Sequence, residues 1–164
     1  MLSLNELIKL VLIGVGATAV MDAWSVIQKA LGIPTLDYAM VGRWAGHVFR
    51  GKLMHSSIAN ARPVRGEVVL GWGIHYAVGI IFAAALVGIF GIRWLHTPTW
   101  LPALIVGVIT VVIPFFVMQP AMGAGIAASR TPTPWRNRLR SLLTHAIFGA
   151  GLYLCAGLLN WGWK

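Results

Sequence analysis

Four apolar runs of more than 20 residues each, at 7–31, 68–92, 101–122 and 139–159, occupy over half of a 164-residue chain. At a rise of about 1.5 Å per residue, runs of this length reach roughly 31 to 37 Å as helices, enough to cross a hydrocarbon core of about 30 Å. In lipid the backbone must satisfy its own N–H and C=O groups, and an unbroken apolar run does so only as a helix. A barrel would need many short alternating segments instead. The expected fold is therefore all-α and membrane-embedded, a single integral domain over 1–164 with four transmembrane helices.

Composition excludes the main alternative. Hydrophobic residues make up 58% of the chain and charged residues 10%, with a mean hydropathy of +0.78. A soluble domain carries roughly 25% charged residues, so too few polar side chains exist here to cover a water-facing globule. The net charge of +9 comes from 13 Lys and Arg against 4 Asp and Glu. Because these charges flank the apolar runs, they fit orientation and anionic lipid headgroups rather than nucleic acid. Ala17-Thr18-Ala19 has the small-x-small look of a signal cleavage site, yet Glu6 sits beside Lys9 in the preceding segment and the apolar pattern continues to Leu31.

The connection between the first two runs is longer than a tether needs. Tyr38, Val41, Ala45 and Val48 recur at helical spacing opposite Arg43, His47 and Arg50, which predicts an amphipathic interfacial helix over 36–49. Beyond Gly51, the residues Met54, Ile58 and Ala61 sketch a second short apolar face, and 93–100 is a hairpin link. On one side of the membrane fall Lys29, Arg43, Arg50, Lys52, Arg62, Arg65, Arg130, Arg136, Arg138 and Arg140. On the other fall Lys9, Arg93 and Lys164. This asymmetry places the long connections in the cytoplasm and both termini outside, in the periplasm for a bacterial inner membrane. Trp94, Trp100, Trp161 and Trp163 would then form an outer aromatic belt, with Trp72 and Trp135 near the inner interface.

Ionisable or strongly polar groups inside a span are costly, so each is a site candidate. These are Asp22, His75, Gln119 and His145. Counted inward from the basic flanks, all four fall at a similar depth, roughly 8 to 12 Å. Small residues share their helical stripes: Gly14 and Thr18 with Asp22, Gly71 and Gly79 with His75, Ser141 and Gly149 with His145. A bland alternative is that these groups satisfy one another and fix helix register. Pro114 and Pro120 would disturb the third run beside Gln119. Gly123 to Ala128 matches a loose GxGxxA string, but after a transmembrane helix it reads as a flexible helix exit.

Thr131 to Arg138 reads as a stiff basic connection whose Arg130, Arg136 and Arg138, together with Arg43, are candidate contacts for anionic headgroups. His47 and His55 lack companions at metal spacing and read as solvated interfacial histidines, and His96 lies in the outer hairpin. Cys155, the single cysteine, reads as a packed small hydrophobe.

The strings Gly16-Ala17-Thr18-Ala19-Val20-Met21-Asp22, Val41-Gly42-Arg43-Trp44-Ala45-Gly46-His47, Pro63-Val64-Arg65-Gly66-Glu67 with His75-Tyr76, and Met118-Gln119-Pro120 through Arg138 resemble a domain-of-unknown-function family of small bacterial inner-membrane proteins. The resemblance implies a four-helix inner-membrane protein and brings no activity, substrate or cofactor with it.

Three classes of function are open to such a chain. The first is a non-enzymatic accessory subunit or small transporter whose polar cluster binds a proton, ion or small ligand, alone, as a homo-oligomer or in a larger membrane complex. The second is a redox protein holding a b-type haem between His75 and His145. The third is an enzyme acting on lipid headgroups, for which the usual metal-binding acidic clusters are missing, since the chain has four acidic residues.

Overall fold

In the computed structural model, which describes residues 2–162, the chain is all-helical, with no strand among the described residues. Its elements are α1 (Leu4–Ala30), α2 (Tyr38–Val48), α3 (Glu67–Phe90), α4 (Arg93–His96), α5 (Trp100–Ile109), a π-helical turn (Pro114–Met118), α6 (Gln119–Met122), a 3₁₀ turn (Ile126–Ala128) and α7 (Pro134–Gly162). Four helices are long and apolar enough to cross a membrane: Leu4–Ala30, Glu67–Phe90, Trp100–Met122 and Pro134–Gly162. Their outer faces carry large apolar side chains in the open, such as Val69, Ile81, Ile89, Leu101 and Leu158, a surface stable against lipid and not against water.

Local chemistry moves the helix ends away from the ends of the apolar runs. Helix α1 starts at Leu4, not 7, because Ser3 caps it: Ser3 Oγ accepts from the Glu6 N–H while Glu6 Oε2 accepts from the Ser3 N–H at 2.7 Å. It closes on Gly32, at φ 71°, through the paired bonds Ile33 N–H to Gln28 O and Gly32 N–H to Lys29 O. Helix α3 stops at Phe90 rather than 92 because Gly91 turns into the left-handed region. The stiff connection expected over 131–138 is helical from Pro134 onward, since proline's fixed φ suits a first helical position. No helix forms over 54–61, where a second amphipathic piece was expected. Helix α2 spans 38–48, within the expected 36–49, and Asp37 caps it by accepting from the Ala39 N–H at 2.9 Å.

The chain divides into two units. The first comprises residues 2–34, 76–110 and 143–162. Its core is Leu10, Ile13, Ala17, Leu86, Leu95, Ala103, Phe148, Leu152 and neighbours. Small residues let its helices touch backbone to backbone: a Cβ on Gly14 would lie 2.6 Å from Ile80 Cα, and one on Gly107 would lie 2.5 Å from Gly149 Cα. Cys155 packs against Gly16. Trp94, expected in the outer aromatic belt, is instead buried in this core, with its indole N–H on the Thr99 carbonyl. Trp163 of that belt and Lys164 of the basic count lie outside the described residues.

One end of this unit is tied by polar contacts among both chain ends and the hairpin. Glu6 Oε1 meets His96 Nε2 at 3.0 Å, Lys9 Nζ donates to Asn160 Oδ1, and Asn160 Nδ2 donates to the Leu95 carbonyl.

The second unit comprises Thr35–His75 and Val111–Leu142. It holds nine Lys and Arg against Asp37 and Glu67, so it carries +7 of the formal +9. Here α2 lies directly on the start of α3: a Cβ on Gly42 would stand 1.8 Å from the Glu67 carbonyl oxygen, and one on Gly71 1.8 Å from the Tyr38 carbonyl oxygen. The expected disturbance by proline takes the form of the π-helical turn. Pro114 has no N–H to give, and the Gln119 N–H closes the wider ring on the Pro114 carbonyl. Gly123, at φ 98°, then ends α6, and the exit expected to be flexible takes the form of a turn holding Ala127 and Ala128 at positive φ.

Candidate functional site

In the first unit two candidates are each held by a hydroxyl from a neighbouring helix. Asp22 sits on α1 two turns past Gly14, where α1 and α3 meet closely. Tyr76, one turn before Gly79 on α3, donates its hydroxyl to Asp22 Oδ2 at 2.9 Å. His145 sits on α7 one turn before Gly149, and its Nδ1 lies 2.8 Å from Thr110 Oγ1. The Thr110 hydroxyl has one proton and gives it to the Gly107 carbonyl at 2.6 Å. Thr110 thus ties His145 to the backbone of α5.

In the second unit His75 stacks on Tyr38, with ring centroids 4.1 Å apart and planes at 27°, and Trp72 stands edge-on to it at 5.9 Å. Gln119 opens α6, and its buried Oε1 has no hydrogen-bond partner. The four candidates thus divide into Asp22 and His145 in one unit, His75 and Gln119 in the other. Tyr76 and Thr110 escaped notice in the sequence because a hydroxyl is cheap in a span, where it bonds its own backbone, and only ionisable groups stand out.

The most connected side chain of the second unit is Arg43. Its Nε and Nη2 grip the Glu67 carboxylate in bidentate fashion at 2.9 and 2.7 Å, while Nη1 donates to the Ala59 carbonyl at 3.1 Å and, at longer range, to those of Ile58 and Ala61. Glu67 Oε2 also accepts from the Val64 N–H at 2.8 Å. This hydrogen bonding raises the Arg43 guanidinium above its usual value, so it stays charged. Of the other candidate headgroup arginines, Arg138 donates to the Ala127 carbonyl at 2.8 Å, whereas Arg130 and Arg136 are exposed, as is Trp135.

His55 corrects the expectation of a solvated histidine. It is 8% exposed, and neither ring nitrogen has a hydrogen-bond partner. The cause is main-chain pairing: the His55 N–H donates to the Ala121 carbonyl at 2.8 Å and the Ile58 N–H to the Met122 carbonyl at 3.0 Å. These carbonyls at the end of α6 lack helical partners, and the connection supplies them. Burial first, then the positive charges of Lys52 and His47, hold the His55 imidazole below its usual value. No sequence periodicity marks this residue, because the segment that carries it is irregular.

Among the described residues no three His, Cys, Asp or Glu side chains are grouped to hold a metal ion. The fold and its intramembrane polar pairs define a polytopic helical membrane protein. The chain belongs to the family described as protein of unknown function DUF2938, whose model matches residues 11–159. No curated protein and no solved structure matches it.

Proposed function

We propose that this protein is a small non-enzymatic transporter of a bacterial inner membrane that handles a proton or small ion through Asp22, with His145 as a second polar group. The observation that carries this is the Asp22–Tyr76 hydrogen bond at 2.9 Å between two membrane-spanning helices. A carboxylate held there can take up a proton and release the tyrosine hydroxyl, so protonation is linked to the contact between helices. The interrupted third span supports transport over a purely structural subunit, since π turns and broken helices accompany ion sites in spans. His75 and Gln119 are proposed as polar groups of the second unit, and Arg130 and Arg136 as its anionic headgroup contacts. Positive charge stays inside, so the basic connections face the cytoplasm and both termini the periplasm.

The test is proton flux in vesicles holding a trapped pH-sensitive dye, driven by a potassium diffusion potential. Wild-type protein should exceed protein-free vesicles, and Asp22→Asn should lower its flux about tenfold or more. Flux no greater than the lipid background, or equal flux in both proteins, overturns the proposal and leaves an accessory subunit as the reading.

A further inference from the structure

The connection from Lys52 to Gly66 is a strap tied at both edges within the second unit. From α2, the Trp44 indole N–H donates to the Leu53 carbonyl at 2.9 Å, Arg43 holds the carbonyls of Ile58, Ala59 and Ala61, and His47 Nε2 donates to the Arg62 carbonyl at 2.9 Å. On the other edge, the main chain of His55 and Ile58 caps the end of α6, where a Cβ on Gly123 would come within 2.2 Å of the Ser56 carbonyl oxygen. Between the edges lies the His55 ring, buried, with both nitrogens unpartnered and its centroid 4.9 Å from that of His47 in an edge-on arrangement.

We propose that the His47–His55 pair is a proton-operated latch, in which proton uptake at His55 releases the strap from the end of the third span. A neutral imidazole leaves one N–H and one ring nitrogen unpaired there but brings no charge. An imidazolium brings two N–H donors and a charge into a place with no acceptor for either, and the strap relieves this by leaving. The surrounding charges push the same way. Helix α2 presents His47, with Arg43 already paired to Glu67; the strap presents Lys52; and α6 contains no titratable residue. No hydrogen bond joins the two rings: His47 Nε2 is engaged with the Arg62 carbonyl, and the rings meet edge-on. Release would uncover the carbonyls of Ala121 and Met122. This latch is independent of the proposed role of Asp22, which lies in the other unit.

Amide hydrogen exchange on the full chain in lipid nanodiscs, corrected for the intrinsic pH dependence of exchange, tests it. Between about pH 7.5 and about pH 5, protection of the His55 and Ile58 amides should fall about tenfold or more, while Ile13 and Ala17 stay unchanged. His55→Leu should keep the strap protected at both values. Wild-type protection that ignores pH, or a His55→Leu response like that of the wild type, overturns the latch. Should His55→Leu not fold, the wild-type ring decides by its own NMR titration: protonation must coincide with lost protection, and a ring that titrates while the strap stays protected overturns it equally.

Discussion

The hydroxyl of Tyr76 reaches the carboxylate of Asp22 at 2.9 Å because Gly79, one turn further along α3, has no side chain to hold that helix away from Thr18 on α1. A Cβ on Gly79 would stand 2.0 Å from Thr18 Oγ1. Close packing of small residues thus selects the partner of the one acidic group deep in a span. The same relationship recurs where Gly107 and Gly149 cross beside the Thr110–His145 pair.

Tyr76→Phe and Asp22→Asn should each destabilise the protein by about 0.5–1.5 kcal/mol, the range for interhelical hydrogen bonds in membranes. The double variant should lose less than the sum, which a denaturant titration in mixed micelles reads directly. Strict additivity would mean that the bond contributes nothing.

Gly71 and Gly73 stand two residues apart on α3 and should respond oppositely to alanine. Gly71→Ala drives a methyl group into the Tyr38 carbonyl and should cost about 2 kcal/mol or more, with α2 losing amide protection. Nothing lies within 4 Å of a Cβ on Gly73, so Gly73→Ala should be neutral or stabilise the helix by up to about 1 kcal/mol.

Arg43→Lys keeps the charge and loses the fork. Its partner Glu67 is mostly buried, with 14% of its side chain exposed, and a lysine cannot hold both carboxylate oxygens and the strap carbonyls together. A loss of about 1–3 kcal/mol is expected, with trypsin cutting faster at Arg62 and Arg65; a wild-type cleavage rate would show the fork to be dispensable.

Thermal stability should fall with acid through His55. In the unfolded chain its ring titrates near pH 6.5, and in the folded chain below that, so between the two values the unfolded state binds more protons. The stabilisation is fully present above about pH 6.5 and is lost as pH falls toward the folded value. Midpoints measured at both ends of this window should differ in wild type and converge in His55→Leu.

Reporter fusions should place both termini on one side of the membrane, because the Glu6–His96 and Lys9–Asn160 contacts gather them at one end of the first unit. A C-terminal reporter active only in the cytoplasm, or termini on opposite sides, would contradict the proposed orientation.

Reading the chain for apolar runs located every spanning helix to within five residues, and reading it for polar groups inside them singled out Asp22, His75, Gln119 and His145 as candidates. Their partners were not legible. Tyr76 lies 54 residues from Asp22, and Thr110 lies 35 from His145, both ordinary hydroxyl residues until a neighbouring helix turns them inward. Arg43 read as a candidate contact for anionic headgroups, and only the crossing at Gly42 and Gly71 brings Glu67 to it.

What the sequence determined by itself was the solvent: a chain with 58% hydrophobic residues in four long runs must satisfy its backbone as helices in lipid, whatever its detail. Ser3 with Glu6, Gly32, Gly91 and Pro134 likewise set helix ends by local hydrogen bonding and φ preference. Tertiary structure alone decided the burial of His55, the grip of Arg43 on Glu67 and the pairing of Asp22 with Tyr76. Each depends on how far apart and how rotated two helices lie. That is settled where backbones meet at glycine, through steric contacts between residues distant in sequence, which no local periodicity encodes.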